Sequence, residues 1–299
     1  MPDTTLEEAS PPARSPRVLV GFLLIGLVAT LAALGSWFWA AWVLFFMVTG
    51  FYELCDLMAI RDIRPSKVIV LTAGTLMIIV ATLGKSHWLP PLLTAGIIAS
   101  FFRLLFRQPR ASMSDIGATL LALFYVAYLP VHYILLRELG AEGIANPLAQ
   151  PGLKYLIMVL FVISAADVGA YYTGKLFGKH LLYPELSPKK TREGALGGVL
   201  AGVGIGVLLS FWMTLETHHA VILSVLIVVV AQLGDLTESM IKRDAGVKDS
   251  GSMLQGHGGM LDRSDSYIFT AAVAYYYIYW IVLQQGLTQD IFRIFGIDS

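Results

Sequence analysis

Nine apolar runs of roughly membrane-spanning length divide this sequence, and they restrict its possible folds more than any other feature. They centre on Val18 to Leu34, Trp37 to Met58, Val68 to Leu83, Leu89 to Leu105, Ile116 to Leu136, Tyr155 to Thr173, Leu196 to Leu215, Val221 to Leu236 and Tyr267 to Leu283. A bilayer core about 30 Å thick is crossed by about 20 helical residues. Inside it every backbone N–H and C=O must find a partner within protein, so a span is a helix or part of a closed barrel. The two-residue alternation of a barrel is absent. The expectation is an all-α, polytopic integral membrane protein with about nine transmembrane helices. The third, fourth and eighth runs are short, which leaves eight spans as the alternative. Composition agrees: 14% of residues are charged, against about 25% in soluble proteins. The 28 glycines suit closely packed membrane helices.

Residues 1–16 form a polar tail, and residues 17–299 are expected to form a single transmembrane domain. One cysteine, Cys55, excludes an intrachain disulfide and a cysteine-rich metal site. With the N-terminus in the cytoplasm, 17 of the 21 lysines and arginines fall on the cytoplasmic side and 4 on the other. Such a bias orients the chain in the inner, cytoplasmic membrane. It puts two polar segments, 175–193 and 239–265, on the cytoplasmic face, where nucleotides and Mg²⁺ are available. Nothing in the sequence calls for a nucleic-acid partner.

The chemistry is concentrated after Ser164. Between Ser239 and Asp265 the chain carries Lys242, Arg243, Lys248 and Arg263 among Asp244, Asp249, Asp262 and Asp265, with His257 set between glycines. Basic groups grip phosphates, and clustered carboxylates hold a divalent cation. Upstream, Gln232, Asp235, Glu238 or Ser239, and Lys242 recur every three or four residues and so share one helix face. The alternative for that stripe is an Asp235–Lys242 pairing that only packs helices. Asp235 and Asp262 are the expected ligands of a hard cation. Asp265 suits a helix N-terminus as well as a direct role. Gly258 and Gly259 allow close backbone approach to phosphate with His257 as a donor; a solvated turn is the alternative.

Asp167, near the end of the sixth run, and Ser187-Pro188-Lys189-Lys190-Thr191 make the second element. Ser187, Lys189 and Lys190 are expected to touch a triphosphate. Gly198, Gly202 and Gly206 form a helix-packing face. Glu53 and Asp56, with Arg61 beyond, read as a structural cluster at the membrane interface.

The segment from Ser239 to Asp265 closely resembles the signature of phosphatidate cytidylyltransferases, also called CDP-diglyceride synthases. It supplies Ser239, Lys242, Arg243, Lys248, Asp249, His257, Gly258, Gly259, Asp262, Arg263 and Asp265 at the family's spacing. The S-P-K-K-T-x-E-G and D-x-G-A-Y segments extend the resemblance over residues 164–194 and 232–266. Gln255, Ser264 and Arg192 depart from the pattern without removing a charged or glycine position.

The resemblance implies that CTP and phosphatidate give CDP-diacylglycerol and pyrophosphate in phospholipid biosynthesis. Asp235, Lys242, Arg243, Lys248, Asp249, His257, Asp262 and Arg263 would be catalytic. Asp167, Ser187, Lys189, Lys190, Ser239, Gly258, Gly259 and Asp265 would bind substrate. The metal centre at Asp235 and Asp262 resembles a Mg²⁺ site with an accompanying K⁺, and a homodimer is implied. The alternatives are a related lipid-phosphate cytidylyltransferase, a polyprenol kinase-like enzyme or, from another class, a transporter. A transporter calls for charges spread through the membrane midplane.

Overall fold

Residues 26–108, 110–213, 215–251 and 259–284 are described by the computed structural model. Residues 26–34 are helical. Then follow α1 (Ser36–Ala59), α2 (Lys67–Thr82), α3 (Leu89–Leu105), α4 (Met113–Arg137) and α5 (Pro151–Phe177). A β-hairpin, β1 (Leu181–Tyr183) and β2 (Ser187–Thr191), leads into α6 (Arg192–Met213) and α7 (Thr217–Asp244). The last described helices are α8 (Leu261–Ile268) and α9 (Thr270–Tyr277), with a π-helical turn at Ile278–Val282.

Six helices among the described residues are long and apolar enough to cross a membrane, and α2 is a shorter apolar one. The predicted last span is subdivided into α8, α9 and the π turn rather than forming one continuous α-helix. The predicted polar tail at 1–16 lies outside the described residues.

Lipid as solvent explains why many large apolar side chains point outward, Phe102, Phe161, Leu200 and Phe211 among them. Between helices, packing comes from small residues. On α6, Gly198, Gly202 and Gly206 are buried. A Cβ at Gly202 would lie 2.5 Å from Val228 and 3.4 Å from Val162, so this glycine face meets α5 and α7 together. The four-residue spacing predicts that face.

Two features were not legible in the runs. Within α4, Leu123–Tyr128 is π-helical just before Pro130, whose missing N–H already breaks the ladder. The hairpin is the one strand pair among the described residues, antiparallel with Leu181 opposite Thr191 and Tyr183 opposite Ser187. Glu193, at the start of α6, closes its base. Its Oε2 accepts the N–H groups of Lys179 and His180 at 3.1 and 3.2 Å, and its Oε1 meets His180 Nδ1 at 2.6 Å.

Candidate active site

Three members of the polar stripe on α7, Gln232, Asp235 and Lys242, each reach a different neighbouring element, while Glu238 pairs with Lys242 along the helix itself. Gln232 Nε2 donates to the Ala195 carbonyl on α6 at 3.0 Å. Asp235 accepts from Lys190 of the hairpin. Lys242 donates to Glu238 Oε2 at 3.0 Å and to Asp262 Oδ1 of α8 at 2.6 Å. Seven residues apart on α7, Asp235 and Lys242 are bound to separate partners and not to each other.

Close helix approach makes this convergence possible. A Cβ at Gly234 would sit 2.6 Å from the Asp265 carbonyl, inside contact distance, so only glycine lets α7 lie against α8 there. Asp265 is consequently within electrostatic reach of Asp235 and Glu238. Asp167 on α5 is within reach of Asp235 and Lys190. The buried Tyr125 hydroxyl, on the π segment of α4, senses Glu238, Asp265 and Asp235. Asp167, Asp235, Glu238 and Asp265 thus come from three helices to one region, with Lys190 and Lys242 as its basic partners. Glu238 is 1% exposed; its Oε2 meets Lys242, and its carboxyl group lies within hydrogen-bonding reach of Asp265.

Asp262 is held from several directions. Its Oδ2 accepts from the backbone N–H of Ser250 at 2.8 Å, the Ser250 hydroxyl at 3.0 Å and the Gly259 N–H at 2.9 Å. Burial opposes ionisation of Asp262, but Lys242 and the Gly259 and Ser250 amides hold its carboxyl below the usual carboxylate range.

Glu53 corrects the sequence reading. It is buried against Ser250, Met260 and Leu261, while Asp56 is exposed. Its carboxylate accepts the N–H groups of Met260 at 2.7 Å and Leu261 at 2.8 Å, two donors at the start of α8 that no helical carbonyl can satisfy. The Ser250 hydroxyl also lies 3.2 Å from Glu53 Oε2. Asp265, for which the sequence left a helix-terminus role and a direct role open, accepts the neighbouring Ser266 N–H and shares a side-chain hydrogen bond with Glu238. A carboxylate at Glu53, inside an apolar run and three residues before Asp56, was the one available signal. Arg61 likewise ties the end of α1 to Asp244 at the end of α7.

The other candidates lie around this centre. Arg243 is exposed and donates to the Val247 carbonyl at 2.8 Å, shaping the turn after α7. Lys248, Asp249, Lys189 and Arg263 are exposed, Ser187 is half-buried and Ser239 is buried. Gly259 packs where a Cβ would meet Ser250 Oγ at 2.2 Å and Glu53 at 2.6 Å. His257 and Gly258 lie outside the described residues, as does Gln255.

The donors suit a hard cation, being four carboxylates, Asp167, Asp235, Glu238 and Asp265, in excess over two lysines. Among the described residues, no three or more His, Cys, Asp or Glu side chains are grouped closely enough to hold a metal by themselves. Such a cation would need oxygens from another source, as Mg²⁺ commonly takes from substrate phosphates and water.

Comparison with known proteins identifies the family of the chain. A model of the Cytidylyltransferase family matches residues 15–281. The phosphatidate cytidylyltransferase of Synechocystis sp. is 38% identical over 287 residues, covering 88% of this chain and 95% of that protein. That of Staphylococcus epidermidis is 35% identical over 206 residues, covering 67% and 75%. The chloroplastic phosphatidate cytidylyltransferase 5 of Arabidopsis thaliana is 37% identical over 208 residues, covering 62% and 50%.

Proposed function

This chain belongs to the cytidylyltransferase family, and we infer from that membership that it is a phosphatidate cytidylyltransferase. It is an integral membrane enzyme that transfers a cytidylyl group from CTP to phosphatidate and releases pyrophosphate. A phosphate oxygen of phosphatidate forms a bond to the α-phosphorus of CTP. The bond from that phosphorus to the bridging oxygen breaks, and pyrophosphate leaves with the electron pair. Phosphatidate is already anionic near neutral pH, so the attack requires no general base.

The observation that carries the residue assignment is the meeting of two sequence-distant segments, Lys190 from the hairpin on Asp235 and Lys242 on Asp262. Two anions repel as they approach, and a site accelerates their reaction by neutralising and aligning them. Lys190 and Lys242 supply buried or half-buried positive charge. Lys189, Arg243, Lys248 and Arg263 provide the outer basic surface for the triphosphate and the lipid phosphate. Asp249, Ser187, Ser239, His257, Gly258 and Gly259 complete the substrate contacts. Asp167 and Asp265 orient the inner charges.

Asp235 and Asp262 would hold Mg²⁺, with K⁺ as a companion ion. Asp262 Oδ1, bonded to Lys242 alone among the described contacts, has a remaining lone pair for a cation. Bound there, the divalent ion would neutralise the triphosphate and polarise its α-phosphorus.

The apolar runs and the charge bias support a finer topology: one transmembrane domain over residues 17–299, nine spans, and the N-terminus and active site facing the cytoplasm; the family resemblance implies a homodimer. Purified protein in detergent should release pyrophosphate from CTP only when phosphatidate and Mg²⁺ are both present. Release of CDP instead would assign the chain to kinase chemistry.

A further inference from the structure

We propose that Glu53, in the N-terminal half of the chain, is a positioning residue that sets the Asp262 carboxylate for the reaction. Glu53 is 7% exposed; among the described residues no lysine or arginine is paired with it, and the hydrogen bonds it accepts come from Ser250, Met260 and Leu261, close in sequence to Asp262. A buried carboxylate without a cation is costly unless several donors satisfy it. Here the donors are the Met260 and Leu261 amides, with the Ser250 hydroxyl shared between Glu53 and Asp262.

The Ser250 hydroxyl is the link. It lies between Glu53 Oε2 and Asp262 Oδ2, at 3.2 and 3.0 Å, with a single proton to give. Gly251 and Gly259 flank the same carboxylate so tightly that a Cβ on either would come within 3.0 Å of Glu53. Glu53 therefore fixes both ends of the stretch outside the described residues and the start of α8, one residue from Asp262. Its negative charge also suits the positive end of that helix. Helix α1 thereby determines where Asp262 points, although it contributes no group to the phosphates.

This inference rests on the catalytic reading of Asp262, and pyrophosphate release by the parent protein tests that reading separately. The test compares Glu53→Gln with Met47→Ala. Met47 is a buried residue of the same helix that packs on Gly74. The amide of Glu53→Gln keeps the shape but turns a donor toward donors. Orienting partners of ligating groups typically contribute about 10–100-fold to activity. Glu53→Gln should therefore lose about that much kcat at a temperature well below its melting point, with KM for CTP changed less than about threefold. Met47→Ala should melt earlier while keeping kcat within about twofold. Should Glu53→Gln not fold, Ser250→Ala, which leaves every backbone bond in place, should still lose about threefold or more in kcat. Parental kcat in the folded Glu53→Gln protein, or in Ser250→Ala when Glu53→Gln does not fold, overturns the proposal. So does an equal kcat loss in Met47→Ala.

Discussion

Replacing Lys242 by Met tests whether the α7–α8 junction is held by charge. Lys242 is 8% exposed and its ammonium serves two carboxylates, Glu238 at 3.0 Å and Asp262 at 2.6 Å. Methionine keeps most of the stem, so little packing is lost. What remains is Glu238, 1% exposed, and Asp262 with two uncompensated charges. Removing one partner of a buried ion pair costs about 3–5 kcal/mol. The lower end applies here, because the Lys242 and Asp262 side chains retain 10% and 12% exposure and Asp262 keeps its amide donors. About 3 kcal/mol corresponds to a drop of about 6–12 °C in Tm, at about 2–4 °C per kcal/mol for a domain of 150–250 residues.

The measurement is thermal unfolding in detergent at a series of pH values. The Asp262 pKa is depressed in the folded protein, so its stabilising contribution is present above the ordinary carboxylate range and disappears as pH falls through the folded value. With Lys242 gone, the largest favourable contribution to that depression goes too. The gap between parent and variant should therefore narrow as pH drops below about 4. A second change, Glu238→Gln in the Lys242→Met background, should recover about 1 kcal/mol or more by removing one stranded charge. A Lys242→Met protein that melts with the parent at neutral pH would refute the reasoning.

Three further outcomes are expected. Gly234→Ala puts a methyl where the Asp265 carbonyl stands, 2.6 Å away, so α8 must move; kcat should fall by about tenfold or more. Unchanged turnover would mean that the close approach has no role. Asp235→Asn removes the charge that pairs with Lys190 and that we assign to Mg²⁺, and should reduce kcat at least about 100-fold. Full Mg²⁺-dependent turnover in that folded variant would remove the metal assignment. Arg137, fully buried, donates to the carbonyls of Ala32 and Pro147 and to Gln150 Oε1, remote in sequence from both signature segments. Arg137→Met should cost about 2–3 kcal/mol of stability by stranding those acceptors, while KM for CTP in the folded protein stays within about twofold.

Backbone solvation in lipid made the helices legible directly, because a long apolar run there has few alternatives to a helix. The same holds for the glycine face of α6 and for the charged signature residues, whose spacing carries the chemistry whatever surrounds them. The β-hairpin was not legible, since residues 181–191 pair with one another and Glu193 closes the base through Lys179 and His180, with no periodic pattern to mark it. Asp235 and Lys242 share a stripe in sequence, yet which partner each takes depends on how α6, the hairpin and α8 pack around α7. Glu53 lies about 200 positions from the loop it supports, at sequence separations of 197 to 208. Periodicity reports only neighbours along one helix, so an isolated carboxylate in an apolar run reveals that it needs donors but not where they are. The amino-acid order by itself determined the membrane helices and the inventory of reactive groups. Tertiary packing alone decided which carboxylate holds the loop, which lysine meets which aspartate, and how closely α7 and α8 approach.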